Sequence, residues 1–195
     1  SPKLRSYDLT RKGEGQVSSD EQPGKSDIGK IPTLRAAFKK DGTITAASSS
    51  SISDGAAALV LMAADTAAEQ GIAPLARLVA QATHSQEPEW FTTAPIAAIE
   101  KVLAKAGWSA ADVDLFEINE AFAVVAMAPI KALALDAAKV NVNGGACALG
   151  HPIGASGARL VVTLVNALRN RGLKRGIAAL CIGGGEATAI AIELL

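Results

Sequence analysis

The chain has 195 residues, of which 49% are hydrophobic and 4% aromatic, and its 19 basic and 19 acidic side chains give a formal net charge of zero. A chain of this length can bury one sizeable core, and its many small residues favour an α/β domain over a disordered or fibrous chain. No basic stripe is present and the longest apolar runs are too short to span a bilayer, so neither nucleic acid nor a membrane is an expected partner.

The first 43 residues differ in composition from the rest. They are charged and rich in Ser, Gly and Pro, and they contain no apolar core that would indicate a secretory signal. Only the stretch 31–39 predicts a short helix, which ends at Asp41 and Gly42. Two cysteines, Cys147 and Cys181, lie in apolar, Gly-rich surroundings, which favours free thiols in a reducing compartment. We therefore expect a cytoplasmic protein.

From Thr43 onward, predicted strands and helices alternate. Short apolar runs predict strands over 56–62, 75–83, 113–118, 140–143, 177–182 and 188–194. Helical periodicity predicts helices over 63–70, 95–106, 120–135 and 155–170. The alternation favours a layered α/β sheet, and because the last two strands can pair as a hairpin, we expect a mixed sheet.

The predicted helix over 155–170 is apolar around most of its circumference. A surface helix with one buried face should show a polar stripe, so this helix is expected to expose Val161, Val162 and Val165 unless a second layer covers it.

Four segments contain residues suited to chemistry. Asn119 follows a predicted strand, where it either caps the next helix or faces a ligand cleft. His151 lies in a Gly-rich connection, either as a buried histidine or as a positioned functional group. Cys181 precedes three glycines and is either a core thiol or a reactive one beside backbone N–H groups that bind an oxyanion. The serine run 48–51 is either a solvated loop or a contact to a polar ligand.

A metal site is not expected. Cys147, His151 and Cys181 could approach one another, but no second ligand pair completes a tetrahedral zinc site.

The same segments resemble signatures of the thiolase family, in the order of that family. Residues 141–159, NVNGGACALGHPIGASGAR, resemble the histidine-loop signature of the family. Residues 181–193, CIGGGEATAIAIE, resemble its C-terminal cysteine signature. Residues 117–123, EINEAFA, resemble the NEAF motif of the family. Residues 47–62, ASSSSISDGAAALVLM, resemble its serine segment that contacts coenzyme A.

The resemblance implies a fold and a domain organisation. Residues 1–43 would be the end of the loop domain that covers coenzyme A. Residues 44–195 would form the C-terminal thiolase domain, an α/β domain with a mixed five-stranded sheet flanked by helices. This domain normally stacks on a matching N-terminal domain, which the sequence is expected to lack.

The resemblance also implies a mechanism for acyl-CoA condensation or 3-ketoacyl-CoA cleavage. His151 would activate a nucleophilic cysteine of the N-terminal half, and Asn119 would hold a water in the first oxyanion hole. Cys181 would be the acid/base, with a thiolate made accessible near neutrality by its neighbours, and Gly183 would form the second oxyanion hole. The residues expected to contact coenzyme A are Ser50, Ala121 and Phe122.

Because neither cysteine matches the nucleophile motif, the chain alone is expected to be inactive. Acyl-CoA thioesters are expected as substrates, with no cofactor. The expected partner is the missing N-terminal half or another chain, in a homodimer or homotetramer. Two alternatives remain: a non-catalytic acyl-CoA- or lipid-binding domain, and an assembly subunit that completes the site of a partner.

Overall fold

A sheet of four strands forms the centre of the molecule in the computed structural model, which describes residues 19–25 and 27–195. The strands are β1 (Ala76–Ser85), β2 (Leu115–Ile118), β3 (Arg175–Ile182) and β4 (Glu186–Leu194). The helices are α1 (Ala64–Glu69), α2 (Ala94–Ala106), α3 (Ala123–Ala132), α4 (Ala146–Leu149) and α5 (Ser156–Arg171). No helix in these two described ranges is long and apolar enough to cross a membrane.

The strands lie in the order β1-β4-β3-β2. The closing pair β3 and β4 forms an antiparallel hairpin, β1 pairs antiparallel with β4, and β2 pairs parallel with β3. The predicted mixed sheet flanked by helices is therefore confirmed, but the sheet has four strands rather than five. Strand β2 runs parallel to β3 because α3, α4 and α5 carry the chain back across the sheet between them.

Two runs that were predicted as strands are not strands. Residues 56–62 are extended but unpaired, and their apolar side chains are exposed, with Val60 at 87% and Leu61 at 77%. An apolar run becomes a strand only when a neighbouring strand accepts its hydrogen bonds, and no such neighbour lies beside it in the described part of the chain. The run 140–143 makes one bridge, from Val140 to Phe116, and then turns at Asn141, whose φ is +49°.

Helices cover both faces of the sheet. On one face α2 packs its apolar side, including Ile99 and Val102, against Phe116 and Ile177. On the other face α5 packs Leu160 and Leu164 against Leu115 and other residues of β2, β3 and β4. Strands β2, β3 and β4 supply alternate residues to the two cores and are buried on both sides, whereas most residues of β1 are exposed or half-buried.

Helix α5 is less exposed than its sequence predicts. Val165 is buried, Val161 is half-buried, and only Val162 is exposed, at 36%. The outer side also contains Asn166 and Arg169, so the helix does have a polar stripe, displaced toward its C-terminal end. The prediction of broad apolar exposure on this helix is therefore wrong.

The segment before residue 46 contains no α-helix within its described part. The helix predicted over 31–39 is a short 3₁₀ helix, Ile28–Thr33, which contains Pro32 and ends before Leu34. The chain leaves helical geometry at Leu34, whose φ and ψ of −67° and 139° are extended. The first 18 residues of the predicted loop-domain segment lie outside the described residues.

Candidate active site

The carboxyl ends of β2 and β3 meet at one edge of the sheet, and Asn119 lies there. Its backbone N–H donates to the carbonyl of Ala179 over 2.9 Å, which extends the parallel pairing by one residue beyond β2. The residue is fully buried. Helix α3 begins at Ala123 with Phe122 as its N-cap, so Asn119 does not cap the helix. Its side chain is therefore available for contacts with other residues of the site.

Asn119 and His151 are in direct contact. The side-chain nitrogen Nδ2 of Asn119 lies 3.2 Å from Nε2 of His151. On its other side, Asn119 Oδ1 accepts a hydrogen bond from Nη2 of Arg159 over 3.4 Å. The structure thus joins two residues from separate motifs, and it adds a third from the first half of α5.

His151 is fixed through both its backbone and its ring. Its backbone N–H donates to the carbonyl of Ser51 over 2.9 Å, and its ring Nδ1 lies 2.6 Å from the hydroxyl of Ser156. Gly150 precedes it with a φ of +92°, and a Cβ at that position would lie 2.2 Å from Oγ of Ser53. Glycine is required there because the histidine loop passes so close to the serine segment.

The pKa of His151 is lowered. Burial of the ring disfavours the imidazolium, and the positive charge of Arg159 adds to this effect. A neutral imidazole can accept a proton from a thiol, so both influences favour the basic form of this residue at neutral pH.

Cys181 and Gly183 lie where β3 turns into β4. Cys181 pairs with Ala187 and is 8% exposed, and Gly183 begins the exposed turn that connects the two strands. Gly184 and Gly185 have φ values of +98° and +93°, which is why this turn needs glycine. Burial raises the pKa of the Cys181 thiol, which disfavours the thiolate in this chain by itself.

Cys181 shares the sheet edge with Asn119 but not its contacts. By strand alternation Cys181 lies on the same side as Ile177 and Ala179, which face α2, whereas Asn119 contacts Arg159 of α5. In the described part of the chain, no hydrogen bond joins the Cys181 side chain to Asn119 or His151. Their convergence around one substrate stays a prediction, as does the role of Gly183.

The three residues predicted to contact coenzyme A lie together. Both the backbone N–H and the hydroxyl of Ser50 donate to the carbonyl of Ala121, over 3.1 and 3.0 Å. Ser49 forms an antiparallel bridge with Phe122, whose ring meets that of Phe38 edge to face at 5.7 Å. Phe38 was not singled out from the sequence, although an aromatic residue in a polar segment is a usable signal.

An apolar cleft of about 470 Å³ opens beside this aromatic pair. Its lining residues are Phe38, Lys39, Gly42, Thr43, Ile44, Phe91, Thr92 and Phe122. A cleft of this size with an aromatic wall suits an extended ligand that has an apolar portion.

Buried charges behind Asn119 were also missed from the sequence. Glu117 is 1% exposed, with its Oε2 lying 3.7 Å from Nη1 of Arg159, and burial raises its pKa to about 7. Glu120 accepts hydrogen bonds from Nδ2 of Asn141 over 2.9 Å and from the backbone N–H of Cys147 over 3.1 Å. Burial, with the charge of Glu120, raises the pKa of Cys147 to about 12, so this thiol is a weak nucleophile.

Comparison with known families places both parts of the chain. Residues 72–194 match the family model described as thiolase, C-terminal domain, and residues 8–65 match the model described as thiolase, N-terminal domain. The junction between the two models therefore lies between residues 65 and 72. The boundary predicted at residue 43 stays a prediction.

Relatives and solved structures agree with these matches. Acetyl-CoA acetyltransferase 2 of Arabidopsis thaliana is 52% identical over 180 residues, which cover 92% of this chain and 45% of that protein. The Bacillus anthracis acetyl-CoA acetyltransferase structure superimposes with a TM-score of 0.90 at 47% identity, covering 97% of this chain and 48% of that one. An Ascaris suum thiolase in complex with coenzyme A gives 0.83 at 43% identity, covering 92% and 47%.

The chain thus spans just under half the length of the proteins it matches. The C-terminal family model alone covers more than half of the chain, and it includes Asn119, His151 and Cys181. The chain belongs to the thiolase family.

Proposed function

We propose that this chain is the C-terminal part of an acyl-CoA acetyltransferase of the thiolase type, which condenses acyl-CoA thioesters or cleaves 3-ketoacyl-CoA. The observation that carries this proposal is the direct contact of Asn119 with a histidine whose pKa is lowered. A non-catalytic binding domain has no need of a basic imidazole held by a buried amide at the sheet edge, whereas acyl transfer does. The names of the relatives support acetyl-CoA as a substrate.

In the proposed reaction, His151 takes the thiol proton of a nucleophilic cysteine that this sequence does not contain. The thiolate attacks the thioester carbonyl, and a water held by the amide of Asn119 donates to the oxyanion that forms. Collapse of this intermediate expels the thiolate of coenzyme A, which takes the proton from His151. Cys181 then removes a proton from the α-carbon of the second acyl-CoA, with the N–H of Gly183 stabilising the enolate oxygen. The enolate carbon attacks the acyl group, which forms the carbon–carbon bond and releases the thiolate of the nucleophilic cysteine. In the cleavage direction Cys181 returns the proton.

Cys181 needs a lower pKa than burial gives it before it can act as a base. A bound thioester supplies part of the missing driving force, because the oxyanion hole stabilises the enolate that the proton transfer creates. The N-terminal half would complete the surroundings of the thiol. This dependence on groups outside the chain is the physical reason for expecting the isolated chain to be inactive.

The cleft beside Phe38 and Phe122 is the proposed site for the pantetheine arm of coenzyme A. Ser50 keeps acceptor capacity on its hydroxyl oxygen while its hydrogen is used by Ala121. Structures of an Ascaris suum thiolase and a human mitochondrial thiolase with coenzyme A make this ligand a reasonable choice. No further cofactor is proposed. A cytoplasmic homodimer or homotetramer acting in fatty acid metabolism is the corresponding proposal for the complete protein.

A chimera tests the proposal. This chain replaces the matching segment of the Bacillus anthracis enzyme, whose fold superimposes closely, and thiolysis of acetoacetyl-CoA and single-turnover acyl transfer are measured. We expect turnover in the chimera and none with the isolated chain. Cys181→Ser should lower condensation by about 10²–10⁴-fold, the usual contribution of a general acid–base, while the first acyl transfer is retained.

His84 provides the matched control, because it is the only other histidine of the sequence. His151→Ala should lower both half-reactions, whereas His84→Ala should lower neither. A folded chimera without turnover, or equal loss of both half-reactions in Cys181→Ser, contradicts the proposed function.

A further inference from the structure

A line of four polar side chains runs through the candidate site from Ser156 to Arg159. At the first end, the buried hydroxyl of Ser156 lies 3.0 Å from the carbonyl oxygen of Pro152. The Pro152 carbonyl also accepts from the backbone N–H groups of Ala155 and Ser156, each over 2.8 Å, so the hydroxyl hydrogen can point to that carbonyl or to the histidine ring. The Ser156 oxygen lies 2.6 Å from Nδ1 of His151 and by itself fits either tautomer.

The second end has one permitted direction, and it decides the form of the ring. Arg159 has only donors, and its Nη2 faces Asn119 at 3.4 Å. The atom of Asn119 on that side must therefore be the oxygen, because the reversed amide would place N–H groups against the guanidinium. The amide nitrogen then faces His151 and donates to Nε2 over 3.2 Å. Nε2 must accept, so it carries no proton.

The neutral ring must then carry its proton on Nδ1, where it donates to the oxygen of Ser156. We infer that Arg159, oriented by Glu117, is a positioning residue that fixes His151 as the Nδ1–H tautomer by fixing the amide orientation of Asn119. Under the proposed function, Nε2 is the base that takes the proton of the nucleophilic thiol, once that thiol replaces the Asn119 N–H at the Nε2 lone pair. The inference rests on that function only for its catalytic meaning, because the tautomer is a property of this chain.

The surroundings of Arg159 show why it can keep this position. Its guanidinium side chain is 19% exposed and lies 3.7 Å from the buried carboxylate of Glu117 on β2. Glu117 and Glu120 are the two acidic groups that act on Arg159. Removing Arg159 would leave Glu117 without its only cationic neighbour at this distance among the described residues, so the pair holds each other in place.

Nitrogen NMR of the chain tests the inference, because the sequence has only His84 and His151 and each ring gives separate signals. In the wild type we expect His151 to show a protonated Nδ1 and an unprotonated Nε2 at neutral pH. Arg159→Met should shift the ring signals toward a mixture of tautomers and raise the pKa of His151, since a nearby positive charge is lost. His84 serves as the internal reference.

Two variants separate positioning from folding. Arg169→Met changes an exposed arginine on the same helix and should leave both ring nitrogens of His151 unchanged. Arg159→Lys keeps a charge and a donor and should recover part of the Nδ1–H preference. If Arg159→Met does not fold, Glu117→Gln combined with Arg159→Met removes both buried charges, and the same loss of preference is expected there.

The inference is overturned if the wild-type ring carries its proton on Nε2, or if folded Arg159 variants keep the Nδ1–H form. These outcomes differ from failure of the proposed function. An active chimera whose tautomer does not depend on Arg159 refutes the positioning role alone, whereas an inactive chimera with an Arg159-dependent tautomer refutes the function alone.

Discussion

Glu117 is a buried carboxylate whose effect on stability depends on pH. Burial raises its pKa from 4.5 to about 7 although Arg159 opposes the shift. An acid whose pKa rises on folding favours the protonated folded state, so its contribution is complete below pH 4.5 and is lost as the pH rises through about 7.

We therefore predict that Glu117→Gln gains stability relative to the wild type between pH 5 and pH 8. The difference in free energy of unfolding should change by up to about 3 kcal/mol over this range, since one pKa unit corresponds to about 1.4 kcal/mol. Urea unfolding of both proteins at each pH measures it. Equal pH dependence of the two proteins would show that Glu117 titrates normally in the fold.

Single residues of the site differ in how far the sequence reveals them. Asn119 and His151 could be chosen because each follows a local signal: a strand end for the first, and a Gly-rich loop before proline for the second. The partner pair of Glu117 and Arg159 could not, because a buried ion pair between a strand and a distant helix leaves no mark in either local segment. The hydrogen bond from the Ser50 hydroxyl to the carbonyl of Ala121 could not be predicted from the sequence either, because it joins positions 71 residues apart.

At the scale of elements, Asn141 takes the place of a strand. Its side chain accepts from the N–H of Ile118 and donates to the carbonyl of Ile118, each over 2.8 Å. Both bonds are ones that a neighbouring strand would make, and Ile118 is the last residue of β2. This substitution of a side chain for a strand explains why the alternating Val and Asn residues at 140–143 gave a false prediction of a strand.

Two substitutions at Asn141 should separate its two contributions. Asn141→Gly keeps the left-handed backbone and loses the side-chain bonds, which should cost about 1–3 kcal/mol of unfolding free energy because buried backbone groups lose partners. Asn141→Ala loses the bonds and also strains the backbone at φ +49°, for about 1–2 kcal/mol more. Urea denaturation compares them, and an Ala variant as stable as the Gly variant would exclude backbone strain.

Helices and strands can be predicted from the local sequence pattern where the element is buried on one face or on all sides. The hairpin of β3 and β4 and the helices α1, α2 and α5 lie within a few residues of their predicted positions. The run 56–62 is as apolar as a true strand, and the serine segment is as polar as a true loop. Whether either segment pairs with a neighbouring strand decides its structure. Pairing depends on neighbours that a local window does not contain.

At the scale of the whole molecule, the run 56–62 is a contiguous stretch of exposed apolar side chains, in which Leu59, Val60, Leu61 and Met62 are all exposed. We predict that the isolated chain binds a hydrophobic dye and self-associates through this run. Replacing Val60 and Leu61 with lysine should reduce both, because burying each such side chain contributes about 1.5–3 kcal/mol. Sedimentation velocity and dye fluorescence measure the change.

Val162→Lys on α5 is the matched control, since that valine is exposed only at 36%. It should change dye binding less than the replacements at Val60 and Leu61. Equal effects of the two changes would mean that the outer side of α5 contributes as much to association as the extended run.

The serine segment joins parts of the site that are remote in the chain. Ser50 bonds to Ala121 and Ser51 bonds to His151, so each contact closes a long loop. Long loops are costly in entropy until the sheet and helices already hold their ends. The site is therefore a late product of folding: the β3–β4 hairpin and its helices can assemble first, and mutations in the serine segment should speed unfolding while leaving the folding rate nearly unchanged.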